Sequence, residues 1–379
     1  MDHPALSRHT PEPPRAVHPL HESPQPEETT MIEATLKQPV SGLRVFDALV
    51  KGESAPAWLH DGMLAAFGLP PEAATQLISV SENASYLVEL AGQPIGVVRL
   101  QQPGYQEGEG QLRSEMLWVE AIRDSGCAEV PSPIPGADGQ VTQSIPSPDG
   151  MALKAVYFEH VRGSILQDVE DATPWFTELG QITARLHDHA RSWRRPAGFD
   201  RFTWGLPDLL GSTARWGDWR RASLTPAQLD QLERAEMSAL SLVQAAPAGW
   251  QDWGLVHSDL RPTNVIRDGE RLIVIDFDDS GFSWFLYDFA SALTFQEHKP
   301  EARVMARNWI DGYRSEGRLT DAQLELGCAL SMVRTLTMLG WSTTHRDEAL
   351  PPDLQGGGVI DAALFTADRF LASPTWLID

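Results

Sequence analysis

Residues 255–280, LVHSDLRPTNVIRDGERLIVIDFDDS, constrain this chain more than any other stretch. Two short β-favouring runs, residues 255–257 and 272–276, each lead directly into polar, acid-bearing loops. Asp268 and Gly269 mark a hairpin turn between them, so Asp259, Asn264 and Asp276 stand on two loops joined by a hairpin. If the chain stays extended, Asp276 and Asp278 share a face about 6.6 Å apart, and Asp279 adds a third carboxylate. At an effective dielectric near 20 the first pair repels by roughly 2.5 kcal/mol. Ending a buried apolar strand in such a cluster makes physical sense when a cation neutralises it, and hard oxygen donors point to magnesium rather than zinc. The other reading is a solvated or helix-capping acidic turn. Asp259 beside such a site can accept the proton of an attacking hydroxyl and hold that hydroxyl in line. Asn264, five residues on, offers an amide oxygen to the same cation.

Composition bounds the rest. At 379 residues the chain is long enough for about two domains with real cores. Its 30 lysines and arginines face 52 aspartates and glutamates, a formal charge of −22 that argues against nucleic acid as a partner. The two cysteines, Cys127 and Cys328, lack any metal-ligand spacing and fit a reducing, cytoplasmic setting. The N-terminus has no apolar signal core, and the apolar stretch 329–341 is interrupted by Arg334, so no membrane association is expected.

Residues 1–40, rich in Pro, His, Glu and Ser, read as a disordered tail, and 41–74 as a helical lead-in that Pro70 and Pro71 stop. Residues 75–100 predict a hairpin turning at Gly92, followed by a helix from Leu112 to near Gly126 and a strand over 151–158. From Thr173 helical periodicity dominates, with Thr173–Pro174 and Thr225–Pro226 as helix starts. The organisation is α+β: a small β-rich lobe over 75–160 and a larger, mostly helical lobe over 161–379.

The pattern H-x-D-x-x-x-x-N, followed 12 residues later by D-F-D, resembles the aminoglycoside phosphotransferase and kinase-like superfamily, over roughly residues 75–320. That resemblance implies a two-lobed protein-kinase-like fold and transfer of the γ-phosphate of ATP to a hydroxyl. The implied acceptor is a small molecule such as an aminoglycoside, homoserine, choline or a similar amino alcohol. Asp259 is then the catalytic residue, and Asn264, Asp276 and Asp278 hold Mg2+. Residues 81–88, SENASYLV, are similar to the family's nucleotide-covering turn, which implicates Ser81 and Asn83. Arg99 falls where the family usually carries a phosphate-binding lysine, a departure because arginine binds as a fork; Glu115 falls at its ion-pair partner. Glu159, His160 and Val161 resemble the hinge whose backbone reads the base, which leaves adenine against guanine open. Within the same resemblance, His257 orders the catalytic loop, Asp288 supports it from a helix start, and His187 reads as a core histidine. Arg261 reads either as a contact to phosphate or to an anionic acceptor, or as the partner of a nearby aspartate. Two alternatives stand beside the small-molecule kinase: a bacterial stress-type protein Ser/Thr kinase, with a protein as substrate, and a nucleotide-binding pseudokinase.

Overall fold

The computed structural model describes residue 46 and residues 49–105, 110–246 and 252–379. The anticipated tail, residues 1–40, lies outside the described residues. Within the lead-in, helix α1 (Ala57–Phe67) buries Leu59, Met63 and Phe67, one residue per turn on a single face. Gly68 ends it at φ 60°, a left-handed cap that glycine adopts without a Cβ penalty.

Strands β1 (Ala74–Val80), β2 (Asn83–Leu90) and β3 (Gln93–Gln101) form an antiparallel meander. The single hairpin expected here is therefore two. The second reversal lies at Ser81–Glu82, where the Ser81 N–H donates to the Asn83 carbonyl at 2.8 Å, within the residues 81–88 whose resemblance implied a turn. Strands β4 (Pro133–Ile134), β5 (Gln143–Pro146) and β6 (Ala152–Glu159) complete a six-stranded sheet in the order β1-β2-β3-β6-β4, with β5 also on β6. Leu77, Tyr86, Val88, Val98, Leu100 and Leu153 pack its core with α1.

The chain forms two compact units: one ends at Arg113 and resumes over Pro133–His160, and the other holds Ser114–Ser132 and Val161–Asp379. Helix α2 (Gln111–Ser125), anticipated inside the sheet-rich lobe, thus belongs from Ser114 onward to the larger unit. Packing explains it. Trp118 meets Phe277 edge-on at 5.4 Å, and Ser114 Oγ accepts the N–H of Asp200 at 2.8 Å.

The larger unit contains β7 (Ser164–Ile165), α3 (Phe176–Ser192), α4 (Pro226–Ala245), β8 (Trp253–Val256), β9 (Val265–Asp268), β10 (Arg271–Val274) and β11 (Gly281–Trp284). Helices α5 (Tyr287–Ala292), α6 (Ala302–Glu316), α7 (Asp321–Ser342) and α8 (Gly358–Ala372) follow. Thr225 caps α4 in a reciprocal box with Gln228, as its sequence predicts. Thr173 caps nothing: residues Thr173–Trp175 form a 3-10 turn ahead of α3. Gly163, at φ 125°, passes so close to β9 that a Cβ there would lie 2.3 Å from the Arg267 carbonyl oxygen.

Helices α3 and α6 approach backbone to backbone. A Cβ on Gly312 would lie 1.8 Å from the Thr177 carbonyl, and one on Gly180 2.0 Å from that of Trp309. Gly312→Ala is expected to destabilise the protein by roughly 2–3 kcal/mol, because neither helix can yield without moving its buried face. Urea unfolding with an unchanged slope measures this. The contact matters because α3 and α6 carry side chains that brace the site below.

Candidate active site

The loop after β8 takes its shape from a carboxylate that is not part of it. Asp288, on the first turn of α5 and fully buried, accepts the His257 N–H with Oδ2 at 3.2 Å and the Ser258 N–H with Oδ1 at 2.8 Å. Ser291 Oγ accepts the Leu260 N–H at 3.1 Å. These bonds hold Ser258 at φ 69°, a left-handed conformation that a non-glycine residue keeps only when its surroundings dictate it. Behind Asp288 stands His187 of α3, with Nε2 3.0 Å from Asp288 Oδ2 and Nδ1 3.0 Å from the Tyr313 hydroxyl of α6. Burial holds the His187 pKa below its ordinary value against the pull of Asp288, so the ring is neutral, donating from Nε2 and accepting at Nδ1. The histidine read as a core residue is indeed in the core, but there it orients the aspartate that shapes the loop.

His257 is equally committed. Its Nδ1 accepts the Asp259 N–H at 3.3 Å and its Nε2 lies 3.1 Å from the Ile275 carbonyl, which fixes the tautomer with the proton on Nε2. The ring thereby joins the loop to the end of β10.

Asp259 is 7% exposed and accepts three side-chain donors. Asn264 Nδ2 reaches its Oδ2 at 2.7 Å, Arg261 Nε reaches the same oxygen at 3.0 Å, and Arg334 of α7 reaches Oδ1. Of the readings left open for Arg261, pairing with a nearby aspartate is the arrangement found. With Nδ2 spent on Asp259, the side-chain oxygen of Asn264 is its remaining polar atom. The Asn264 carbonyl accepts the Ile275 N–H at 3.0 Å, so Asn264 and the following residue, Asp276, are brought to one place.

Asp276 does not continue the strand. Strand β10 ends at Val274, and Asp276 turns to φ 63°, so the shared extended face expected for Asp276 and Asp278 does not form. The 276–280 turn is instead braced through its carbonyls. Arg201, 5% exposed, donates from Nε to the Ser280 carbonyl at 2.6 Å and from Nη2 to that of Asp278, while Trp204 Nε1 donates to that of Asp279 at 2.7 Å. Asp278 and Asp279 are buried beside it.

Among the described residues, no group of three or more His, Cys, Asp or Glu side chains stands ready to hold a metal ion. The donor set at this turn is an amide oxygen and carboxylates, all hard oxygen, and too few to enclose an ion. Such a set fits a Mg2+-type cation that keeps waters and shares phosphate oxygens, and does not fit zinc.

In the smaller unit, Ser81 and Asn83 form the β1–β2 turn, and Arg99 lies on β3, 6% exposed, with its guanidinium 5.7 Å from the Phe158 ring centroid. Glu159 ends β6, paired with Gly96, and His160 follows it. Glu115, 1% exposed on α2, and Val161 belong to the larger unit.

Five residues that hold this site were not singled out for it from the sequence: Arg201, Trp204, Ser291, Tyr313 and Arg334. Only Arg334 carried a signal, as the single charge in the otherwise uncharged stretch 329–341.

An antiparallel sheet unit and a helical unit that carries a braced H-x-D-x-x-x-x-N loop and an acidic turn together define the kinase-like fold. A solved structure of a microcompartment-associated aminopropanol kinase matches with a TM-score of 0.75 and 31% identity, covering 84% of this chain and 99% of that one. An amicoumacin kinase solved with AMP-PNP and Ca2+ shares the fold at a TM-score of 0.66 and 19% identity, over 85% of this chain and 95% of that one. The chain belongs to the phosphotransferase enzyme family, whose model matches residues 74–320. The amicoumacin kinase of Bacillus subtilis strain 168 is 26% identical over 224 residues, 56% of this chain and 63% of that protein. This chain thus spans just under two thirds of that curated relative. Among the described residues no helix is long and apolar enough to cross a membrane.

Proposed function

We propose that the protein is an ATP-dependent phosphotransferase that moves the γ-phosphate to a hydroxyl group of a small molecule. The observation that carries this reading is Asp259, a carboxylate fixed at the end of a braced loop, with Asn264 bonded to it and Asp276 one backbone bond further on. Phosphoryl transfer asks little covalent chemistry of a protein, so positioning and charge suffice. A carboxylate offers about four acceptor sites, and three of those on Asp259 are occupied, which leaves one for the proton of an acceptor hydroxyl. In this role Asp259 orients the hydroxyl toward the γ-phosphate and takes up its proton as the new P–O bond forms and the bond from the γ-phosphorus to the bridging oxygen breaks, releasing ADP. Asn264, Asp276 and Asp278 are the residues to hold Mg2+, which when bound neutralises the phosphate charge. Arg99 and Glu115 position the phosphates, the turn at Ser81 and Asn83 covers them, and Glu159, His160 and Val161 present backbone to the base. The relatives that act on small molecules, aminopropanol and amicoumacin kinases, support a small-molecule acceptor over a protein.

The test is turnover of magnesium-ATP alone and with 1-amino-2-propanol, homoserine, choline, an aminoglycoside and a generic protein substrate, following phosphate onto the acceptor. Phosphorylation of a small alcohol is the expected result. Nucleotide binding with no phosphate moved to any acceptor overturns it in favour of a binding module, with Arg99 as the first residue to revert to lysine.

A further inference from the structure

Two indoles, Trp204 and Trp216, stand on the segment between α3 and α4. Trp216 is 5% exposed, and its ring centroid lies 4.8 Å from the guanidinium carbon of Arg334. Trp204 is fully buried, with its ring centroid 4.8 Å from that of Trp216. We propose that Trp216 is a positioning residue for the transfer step: its ring fixes the Arg334 guanidinium, and through it the Asp259 carboxylate, while Trp204 ties that pair to the acidic turn. The proposal rests on the phosphotransferase reading and deepens it.

Arg334 reaches Asp259 from the middle of α7 with all three nitrogens bonded. Nη2 donates to Asp259 Oδ1, Nη1 to the Tyr287 hydroxyl at 3.0 Å and Nε to the Thr294 hydroxyl at 3.1 Å. Such bonds fan out from the edge of a planar fork and fix that edge, whereas the faces of the plane are held by what stacks on them. Trp216 supplies the nearer ring, and Tyr287 a second at 5.5 Å. Of the aromatic side chains indole attracts a cation most, and the attraction grows where water is excluded, as it is around a side chain 1% exposed. An aliphatic side chain in the same place would fill space without that attraction and leave the guanidinium free to tilt.

Trp216 is seated on the helix that carries Arg334. Its carbonyl accepts the Thr344 hydroxyl, just past α7, at 3.0 Å. A Cβ on Gly340 of α7 would lie 2.3 Å from the Gly217 carbonyl oxygen, so the chain after Trp216 rests directly on the helix backbone. Gly217 makes that approach at φ 106°, a conformation that favours glycine. One helix thus presents the arginine and, further on, the ledge that carries the ring against it. Trp204 extends the contact: its Nε1 donates to the Asp279 carbonyl at 2.7 Å and its own N–H to the Phe282 carbonyl at 2.8 Å. From the acidic turn to the candidate base the order is Trp204, Trp216, Arg334, Asp259, each in contact with the next.

The experiment compares wild type, Trp216→Phe, Trp216→Leu and Trp219→Leu, and adds Trp216→Leu to Asp259→Asn. Trp219 is a nearby indole, 1% exposed, that bonds Glu236 at 3.4 Å and none of the groups around Asp259, so its loss reports what removing a buried ring from this segment does by itself. Turnover is followed with magnesium-ATP and the alcohol that wild type phosphorylates best among 1-amino-2-propanol, homoserine, choline and an aminoglycoside. Trp216→Leu should lower kcat by about 10–100-fold, the scale of loss that a misplacement of about 1 Å produces, with KM for nucleotide and alcohol nearly unchanged. Trp216→Phe, which keeps a ring face, should retain most of kcat. Trp219→Leu should unfold at a lower urea concentration than wild type and keep its kcat. In Asp259→Asn, Trp216→Leu should cost little further turnover, because residues that act as a unit are not additive. If Trp216→Leu does not fold, Trp216→Met, which fills more of the ring's volume, carries the same expectation. Equal losses of kcat in Trp216→Leu and Trp219→Leu, a loss in Trp216→Phe as large as in Trp216→Leu, or full additivity with Asp259→Asn overturns the proposal. A raised KM for the alcohol at unchanged kcat also overturns it and makes the ring a wall of the acceptor site instead. If wild type transfers phosphate and every Trp216 variant does so equally well, the phosphotransferase reading stands and the role of Trp216 falls. If wild type phosphorylates no alcohol, both fall.

Discussion

Asp259→Asn is expected to lower kcat by about 10²–10⁴-fold at saturating nucleotide and acceptor, the range over which a positioned general base acts. Asparagine keeps the shape and can still accept hydrogen bonds at one oxygen, but it cannot take a proton from an alcohol. Neither nearby histidine is placed to take over. Both ring nitrogens of His257 are spent within the loop, and His187 is enclosed between Asp288 and Tyr313. Nucleotide affinity should change little, because the expected loss lies in the transfer step. Steady-state kinetics together with a nucleotide-binding titration separate the two. Activity within tenfold of wild type would move the base away from Asp259 and leave its burial among arginines as a structural pair only.

What the sequence revealed and what it hid divide along chain separation. Asp259, Asn264 and Asp276 were legible because one hairpin carries them and their spacing is local. The path of the acidic turn was not, since nothing in I-D-F-D-D announces that Asp276 adopts a positive φ and ends the strand at Val274. The reversal at Ser81–Glu82 came only with the resemblance that marked residues 81–88 as a turn, since no glycine or proline stands there and the pattern over 75–100 otherwise places its turn at Gly92. The helix from Gln111 was legible from its periodicity, but periodicity names a buried face and not what covers it, so its grouping with the larger unit could not be read. The bracing of the loop was the least legible part. Asp288, His187 and Tyr313 lie on three helices, and their order from loop to α6 exists only because Gly180 and Gly312 let α3 and α6 close on each other. A lone histidine on an apolar stripe carries no mark that says which aspartate it will meet.

Arg334 poses the sharper question, because its role is to be judged by stability and by catalysis at once. Its side chain is 1% exposed, bonded to Asp259, to the Tyr287 hydroxyl at 3.0 Å and to the Thr294 hydroxyl at 3.1 Å, with the Trp216 ring centroid 4.8 Å from its guanidinium carbon. Burial works against its charge, but Tyr287 and Asp259 outweigh it and keep the guanidinium protonated above its ordinary range. Arg334→Met is expected to cost about 3–5 kcal/mol, because removing one member of a buried pair leaves the other charge without its partner. Asp259→Asn alone should also be destabilised, by less, since the Tyr287 and Thr294 hydroxyls still solvate Arg334. In the double variant Asp259→Asn/Arg334→Met neither charge remains, so most of the stability should return, as it does when a buried pair is replaced as a unit. Activity should not return with it. Urea unfolding and kcat on the same four proteins give the result directly. A double variant as unstable as the sum of the singles would mean that Arg334 holds the fold through Tyr287 and Thr294 rather than through Asp259. Recovered stability with no recovered turnover means that the pair exists to hold the Asp259 carboxylate immobile at the end of the loop, at a position where an uncharged pair would fold equally well.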